Sequence, residues 1–249
     1  MTHSGTRIFA HRGANREAAE NTRSAFDKAL QYAIDGMETD VQLSRDEVPV
    51  LWHDRFLNKL GLSDRRIDDF DYSQLRSMNF AGHFAQGAMH EGIMSLKEFL
   101  DAYRKRCQLL LEIKSRTRES SARRKSKVMQ TLEMAGAANS GNILISSFHL
   151  ASLVHAHRCR PEFPLIYNFE ARKTLPDAQR VLSERPFLHG LCLPIATLTA
   201  AMVALLHNCG KSIIVYTCNS DSEINKALEL GVDILISDCP QQALRIRDA

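Results

Sequence analysis

Little in this sequence points toward redox chemistry, a membrane or nucleic acid. The six cysteines, Cys107, Cys159, Cys192, Cys209, Cys218 and Cys239, form no Cys-x-x-Cys pair. Several lie inside apolar segments, as small buried hydrophobes do, so disulfides and a zinc site are both disfavoured. No apolar run reaches the length of a signal peptide or a membrane span, and residues 1–7 are polar. A cytoplasmic protein without stable membrane insertion is therefore expected. An excess of one charge is missing as well, since 32 basic residues face 29 acidic ones for a formal charge of +3. Nucleic-acid binding would need a concentrated basic patch. The only such run, Arg123, Arg124, Lys125 and Lys127, reads as the solvated face of a helix. Internal repeats and low-complexity linkers are absent too.

What the chain does have is material for a core. With 249 residues, 44% hydrophobic and 24% charged, it has the size and composition of one barrel domain spanning positions 1–249. Short apolar, β-branched runs alternate with longer amphipathic ones, the pattern of repeated β-α units around a parallel sheet. Eight runs read as strands: 8–11, 37–43, 109–113, 143–146, 165–169, 190–193, 213–217 and 234–237. Helices are expected over 22–34, capped by Thr22 or Asn21, and over 96–106, opened by Ser95 with Glu98 completing a capping box. Others should begin near Ser120, Leu150, Pro176, Thr199, Asp221 and Gln241. Eight such units close into a (β/α)8 TIM barrel. Its parallel strands open their carboxyl ends on one face, where barrel enzymes place their chemistry. Residues 48–53 break the alternation as a further short strand. The long excursion 55–92 reads as a small insertion after the second strand, leaning over the active face.

Several of these strands end in reactive groups. Glu38 and Asp40 are one residue apart, so the period of two aims both carboxylates at the same side of the sheet. Such anions repel unless a cation lies between them, and hard oxygen ligands suit Mg2+ or Ca2+. An outward-facing polar pair is the plain alternative. The run Leu109-Leu110-Leu111-Glu112-Ile113-Lys114 likewise puts Glu112 and Lys114 on one side. If the two strands are neighbours, Glu112 completes a three-carboxylate cluster and Lys114 offers a cation to a phosphate; a simple Glu112–Lys114 ion pair is the alternative. His11 closes the first strand ahead of Arg12-Gly13, and His53 closes the short strand ahead of Asp54. Two imidazoles at strand ends supply a base and an acid near neutral pH. His155 and His157, two apart on an expected helix, face different directions, and His3, His83, His90, His149, His189 and His207 read as structural or surface groups. Ser146-Ser147 can face the pocket, but no base is placed beside the pair.

Taken in order, His11-Arg12-Gly13, Glu20-Asn21-Thr22, Glu38-x-Asp40, His53-Asp54, Glu112-x-Lys114, Gly231-Val232-Asp233 and Ser237-Asp238-Cys239-Pro240 form a set that resembles the glycerophosphodiester phosphodiesterase family. The resemblance covers residues 8–240. It implies a barrel with an insertion at 55–92 and one divalent cation held by Glu38, Asp40 and Glu112. It also implies that His11 and His53 are the acid–base pair and that Arg12 and Lys114 contact the phosphate, with Glu20 and Asn21 organising the loop and the first helix. Met94-Ser95-Leu96 stands where the family often has Pro-Thr-Leu, and Tyr216-Thr217-Cys218-Asn219 where it often has Trp-Thr-x-Asn. Tyr216 is thus the expected aromatic wall beside the substrate. Leu60-Gly61-Leu62-Ser63-Asp64 replaces a Thr- and Gly-rich consensus, a departure that bears on the head group and not on the reaction.

The expected function is metal-dependent hydrolysis of a small glycerophosphodiester, such as glycerophosphocholine or glycerophosphoethanolamine, to glycerol 3-phosphate and an alcohol. His53 is read as the base and His11 as the acid, with the reverse order open. A lysophospholipid phosphodiesterase on the same site is an alternative that needs an apolar channel. Phe56, Leu57, Phe70, Phe80 and Phe84 offer apolar surface for one, although core packing also accounts for them. A non-catalytic barrel binding module is opposed by the intact histidines and carboxylates, and a glycosidase would use paired carboxylates without metal.

Overall fold

In the computed structural model, which describes residues 5–84, 89–116, 118–136 and 142–249, the chain closes into a barrel. His3 and residues 1–4 of the polar amino-terminal segment lie outside the described residues, as does 85–88 within the insertion. The strands are β1 (Arg7–His11), β2 (Gly36–Leu43), β3 (Pro49–Leu51), β4 (Gln108–Ile113), β5 (Ile143–Ser147), β6 (Leu165–Asn168), β7 (Gly190–Pro194), β8 (Ser212–Tyr216) and β9 (Ile234–Ser237). All but β3 are parallel, in the order β1-β2-β4-β5-β6-β7-β8-β9, and β9 pairs back with β1 to close the ring. This is the (β/α)8 TIM barrel expected from the alternation. β3 folds back antiparallel on β2, with Leu51 opposite Val41.

The helices are α1 (Arg23–Ala29), α2 (Tyr72–Ser77), α3 (Leu96–Tyr103), α4 (Ser121–Gly136), α5 (Leu150–Cys159), α6 (Leu175–Glu184), α7 (Ala200–Asn208), α8 (Asp221–Glu229) and α9 (Pro240–Arg247). Thr22 caps α1 by accepting from the Ala25 amide, and Ser95 and Glu98 form the expected capping box on α3. α1 is shorter than the sequence suggested. It ends at Ala29 because the stretch after Leu30 turns down to β2, with Leu30, Tyr32 and Ile34 packed on the core outside any helix. The insertion also carries the helix α2, which the sequence did not announce.

The core has two layers. Phe9, Leu110, Leu144, Ile166, Cys192 and Ile214 fill the barrel, while a larger apolar layer lies between the strands and the helices. A third cluster joins Val50 and Trp52 to Leu57, Ile67, Leu75 and Phe80. Most of the insertion's apolar side chains are therefore spent on packing, and of the five aromatic and leucine positions noted above only Phe84 is exposed. Among the described residues no helix is long and apolar enough to cross a membrane.

One expectation is corrected. The basic run on α4 is not a solvated face. Lys127 is 2% exposed, donates to the Lys114 carbonyl at 2.6 Å and pairs with Glu119 at 2.7 Å. Arg123 and Arg124 donate to the carbonyls of Leu43 and Glu119. These cations satisfy carbonyl groups near the ends of β2 and β4, where strand hydrogen bonding runs out.

Candidate active site

Alternation along β2 and β4 builds the site. Met37, Val41, Leu109, Leu111 and Ile113 turn toward the helices, whereas Glu38, Glu112 and Lys114 line a cavity at the barrel mouth. Register does the rest, placing His11 beside Glu38 and Asp40 beside Glu112. Carboxylate oxygens of Glu38, Asp40 and Glu112 lie within 4.8 Å of one another, and all three residues are buried.

Lys114 Nζ is 2.9 Å from Asp40 Oδ1 and 2.7 Å from Glu112 Oε1, so the Glu112–Lys114 ion pair and the carboxylate cluster coexist. Arg12 Nε lies 3.0 Å from Asp40 Oδ2, which also accepts from Asn21 Nδ2 at 3.0 Å. Two cations thus face three carboxylates. The remaining negative charge falls on Glu38, whose Oε2 is buried with no hydrogen-bond partner among the described residues. Burial, reinforced by Asp40 and Glu112, pushes the Glu38 carboxyl well above the usual range. For Asp40 burial acts upward too, but Lys114 and Arg12 outweigh it and hold that carboxyl well below the usual range.

The loop after β1 aims Arg12. Arg12 adopts φ 57° and Gly13 φ 84°, and a Cβ on Gly13 would lie 2.5 Å from the Ala25 carbonyl carbon, so only glycine lets the chain turn here against α1. Arg12 Nη1 donates to Glu20 Oε2 at 2.8 Å. Glu20 Oε1 in turn accepts from Lys59, which also pairs with Asp54 at 2.9 Å. Glu20 and Asn21 thus organise the loop, as the resemblance implied, and Lys59 ties the insertion to it.

Each histidine is held by an aspartate. His11 Nδ1 is 2.6 Å from Asp238 Oδ1, and His53 Nδ1 is 2.8 Å from Asp54 Oδ1. A carboxylate can only accept, so Nδ1 carries the proton in both rings. Asp238 is fixed by Asn15 Nδ2 at 2.6 Å and Asn219 Nδ2 at 2.7 Å. Burial lowers the His11 pKa, partly countered by Asp238, so this ring is neutral at pH 7. Asn15 and Lys59 escaped sequence reasoning, whereas Asp238 and Asn219 stood in the quoted motifs without a role. A further signal was an aspartate following each strand end, in His53-Asp54 and Ser237-Asp238.

Two hollows flank the cluster. An inner cavity of about 190 Å³ is lined by His11, Glu38, Glu112, Lys114, Asn168 and Tyr216. An outer one of about 220 Å³ is bordered by Gln42, His53, Arg55, Lys114, Arg116 and Phe148. His53 and Lys114 border both. Tyr216 donates its hydroxyl to the Phe169 carbonyl and sets its ring edge-on to Phe148, with centroids 6.0 Å apart. Ser146 lines the inner cavity, whereas Ser147 Oγ is used up on the Ile113 carbonyl.

A parallel barrel with a carboxylate cluster and two aspartate-held histidines at its carboxyl-terminal mouth has the architecture of a barrel hydrolase. The sequence matches the glycerophosphoryl diester phosphodiesterase family over residues 11–242. A glycerophosphodiester phosphodiesterase of Bacillus altitudinis is 30% identical over 255 residues, 98% of each chain. Among solved structures, an Oleispira antarctica phosphodiesterase in complex with the product sn-glycerol-3-phosphate matches with a TM-score of 0.87 at 25% identity, over 98% of both chains. The glycerophosphodiester phosphodiesterase of Thermotoga maritima matches with a TM-score of 0.75 at 25% identity, over 97% of this chain and 98% of that one. The chain belongs to the glycerophosphoryl diester phosphodiesterase family and is an enzyme of that class, a phosphoric diester hydrolase.

Proposed function

We propose that the enzyme hydrolyses small glycerophosphodiesters to glycerol 3-phosphate and an alcohol, and that turnover needs one divalent cation, Mg2+ or Ca2+, held by Glu38, Asp40 and Glu112. The observation that carries this reading is the unpartnered, buried oxygen of Glu38 in a cluster of three carboxylates and two cations. An all-oxygen, net-negative donor set fits a hard cation, and without one Glu38 can ionise only by stranding an anion in a buried site. When bound, the cation supplies Lewis-acid polarisation of a phosphoryl oxygen.

The chain's own groups do the rest. Arg12 and Lys114 stabilise charge developing on the phosphate oxygens. His11, neutral and held through Nδ1 by Asp238, presents Nε2 as the base. His11 Nε2 takes the proton of the attacking hydroxyl. His53, which borders the outer cavity where an alcohol of variable size has room, acts as the imidazolium and gives its Nε2 proton to the departing oxygen while Nδ1 stays on Asp54. Tyr216 walls the inner cavity. The test is release of glycerol 3-phosphate from glycerophosphocholine and glycerophosphoethanolamine by metal-depleted protein, before and after adding Mg2+ or Ca2+. Full activity without added cation, in protein shown by elemental analysis to be metal-free, would refute the metal role. Cleavage of lysophosphatidylcholine alone would refute the substrate class.

A further inference from the structure

Asn168 ends β6 and is 5% exposed. Its Nδ2 lies 3.4 Å from Ser146 Oγ, while its Oδ1 is buried with no hydrogen-bond partner among the described residues, although the side chain lines the inner cavity. A buried amide oxygen left without a donor costs about 1–3 kcal/mol, and such a group in a native site calls for a ligand that supplies the donor. The residues around it narrow the choice. Leu110, Cys192 and Ile236 add apolar surface beside Ser146, Tyr216 and Thr217, a mixed wall suited to the CH2, CH and OH groups of a short polyol. Below them the barrel is filled by Phe9, Ile166 and Ile214.

Position identifies which hydroxyl is read. Glu112 pairs in register with Ser146 on β5, and Asn168 stands on the next strand, β6. Two strand spacings are about 10 Å between backbones, and side chains reaching inward from both sides shorten the gap. That span suits a glycerol 3-phosphate with its phosphate at Arg12 and Lys114 and its far carbon at Asn168. We propose that Asn168 Oδ1 accepts the free terminal hydroxyl of the glycerol moiety and thereby restricts the enzyme to deacylated diesters. A lysophospholipid acylated at that carbon has no hydrogen to give, and because the barrel beneath is filled its chain would have to turn back toward the mouth. This rests on the hydrolytic reading above and deepens it.

The experiment compares sn-glycerol 3-phosphate with 2-hydroxypropyl phosphate, which lacks only the terminal hydroxyl. Binding of each is measured by calorimetry in Mg2+ to the wild type, Asn168→Leu and the smaller truncation Asn168→Ala. In parallel, kcat/KM is measured for glycerophosphocholine and lysophosphatidylcholine. The wild type should favour the hydroxylated ligand by about thirtyfold or more, because a site built to bond a hydroxyl rejects the analogue without one. In either variant the ratio should fall to within about threefold, through weaker binding of glycerol 3-phosphate alone. A ratio near one in the wild type, or one that survives both truncations, overturns the assignment. Turnover of lysophosphatidylcholine within tenfold of glycerophosphocholine overturns the exclusion of acylated substrates. Absence of any diester cleavage, with the binding ratio intact, would count against the hydrolytic reading while sustaining the role of Asn168.

Discussion

His11 and Asp238, 227 positions apart in the chain, meet at 2.6 Å where β1 and β9 lie side by side. Burial raises the Asp238 carboxyl, but His11, Asn15 and Asn219 together hold it well below the usual range, so it stays ionised and fixes the imidazole. Asp238→Asn keeps the shape but removes the charge and turns one of the two acceptor oxygens that His11, Asn15 and Asn219 share into a donor, so the tautomer is no longer fixed. We expect kcat to fall by about a hundredfold or more with KM changed by only a few-fold, the pattern of a group that orients a base. Steady-state kinetics decide, and a variant that loses only KM would make Asp238 a substrate-binding residue.

Glu38→Gln separates ligation from folding. The raised pKa of Glu38 in the folded protein means that the native state holds its proton where the unfolded chain, near 4.5, has released it. That stabilisation is complete below the unfolded value and is lost as pH rises through the folded one. Metal-free Glu38→Gln should therefore match the wild type in acid and exceed it by on the order of 1 kcal/mol at pH 8, while metal-dependent turnover disappears. Urea denaturation of both proteins at two pH values provides the comparison. A variant less stable at pH 8 would show that Glu38 is a structural group.

Chelation should abolish turnover and leave the fold standing. The proposed ligands sit on β2 and β4, strands held by the layered core and not by a metal-nucleated motif. Far-UV circular dichroism after EDTA should be unchanged, and the melting temperature should fall by only a few degrees. Loss of most of the signal would make the cation a folding element.

The two histidines should respond differently to the leaving group. An alcohol such as choline must be protonated as it departs, whereas p-nitrophenolate leaves unaided. Since His53 and not His11 borders the outer cavity, we expect His53→Ala to recover most activity on a p-nitrophenyl glycerophosphodiester and His11→Ala to stay impaired. Recovery of His11→Ala alone would restore the order first read from the sequence. Recovery of neither would make both rings positioning groups.

Local pattern in the sequence determined the strands, and with them the sides on which Glu38, Asp40, Glu112 and Lys114 stand. A period of two needs no knowledge of distant chain, and the observed strands begin and end within a residue or two of the expected ones. Caps at Thr22 and Ser95 were legible for the same reason. Tertiary structure alone decided which polar groups are paired. Barrel closure brings Asp238 to His11, α4 brings Lys127 beneath Lys114, and the insertion brings Lys59 between Glu20 and Asp54. Among the described residues it also leaves oxygens of Glu38 and Asn168 buried and without a hydrogen-bond donor. Side-chain periodicity says which way a group points. Whether a partner waits there depends on residues as far as 227 positions away, and those meet only when the ring of strands closes.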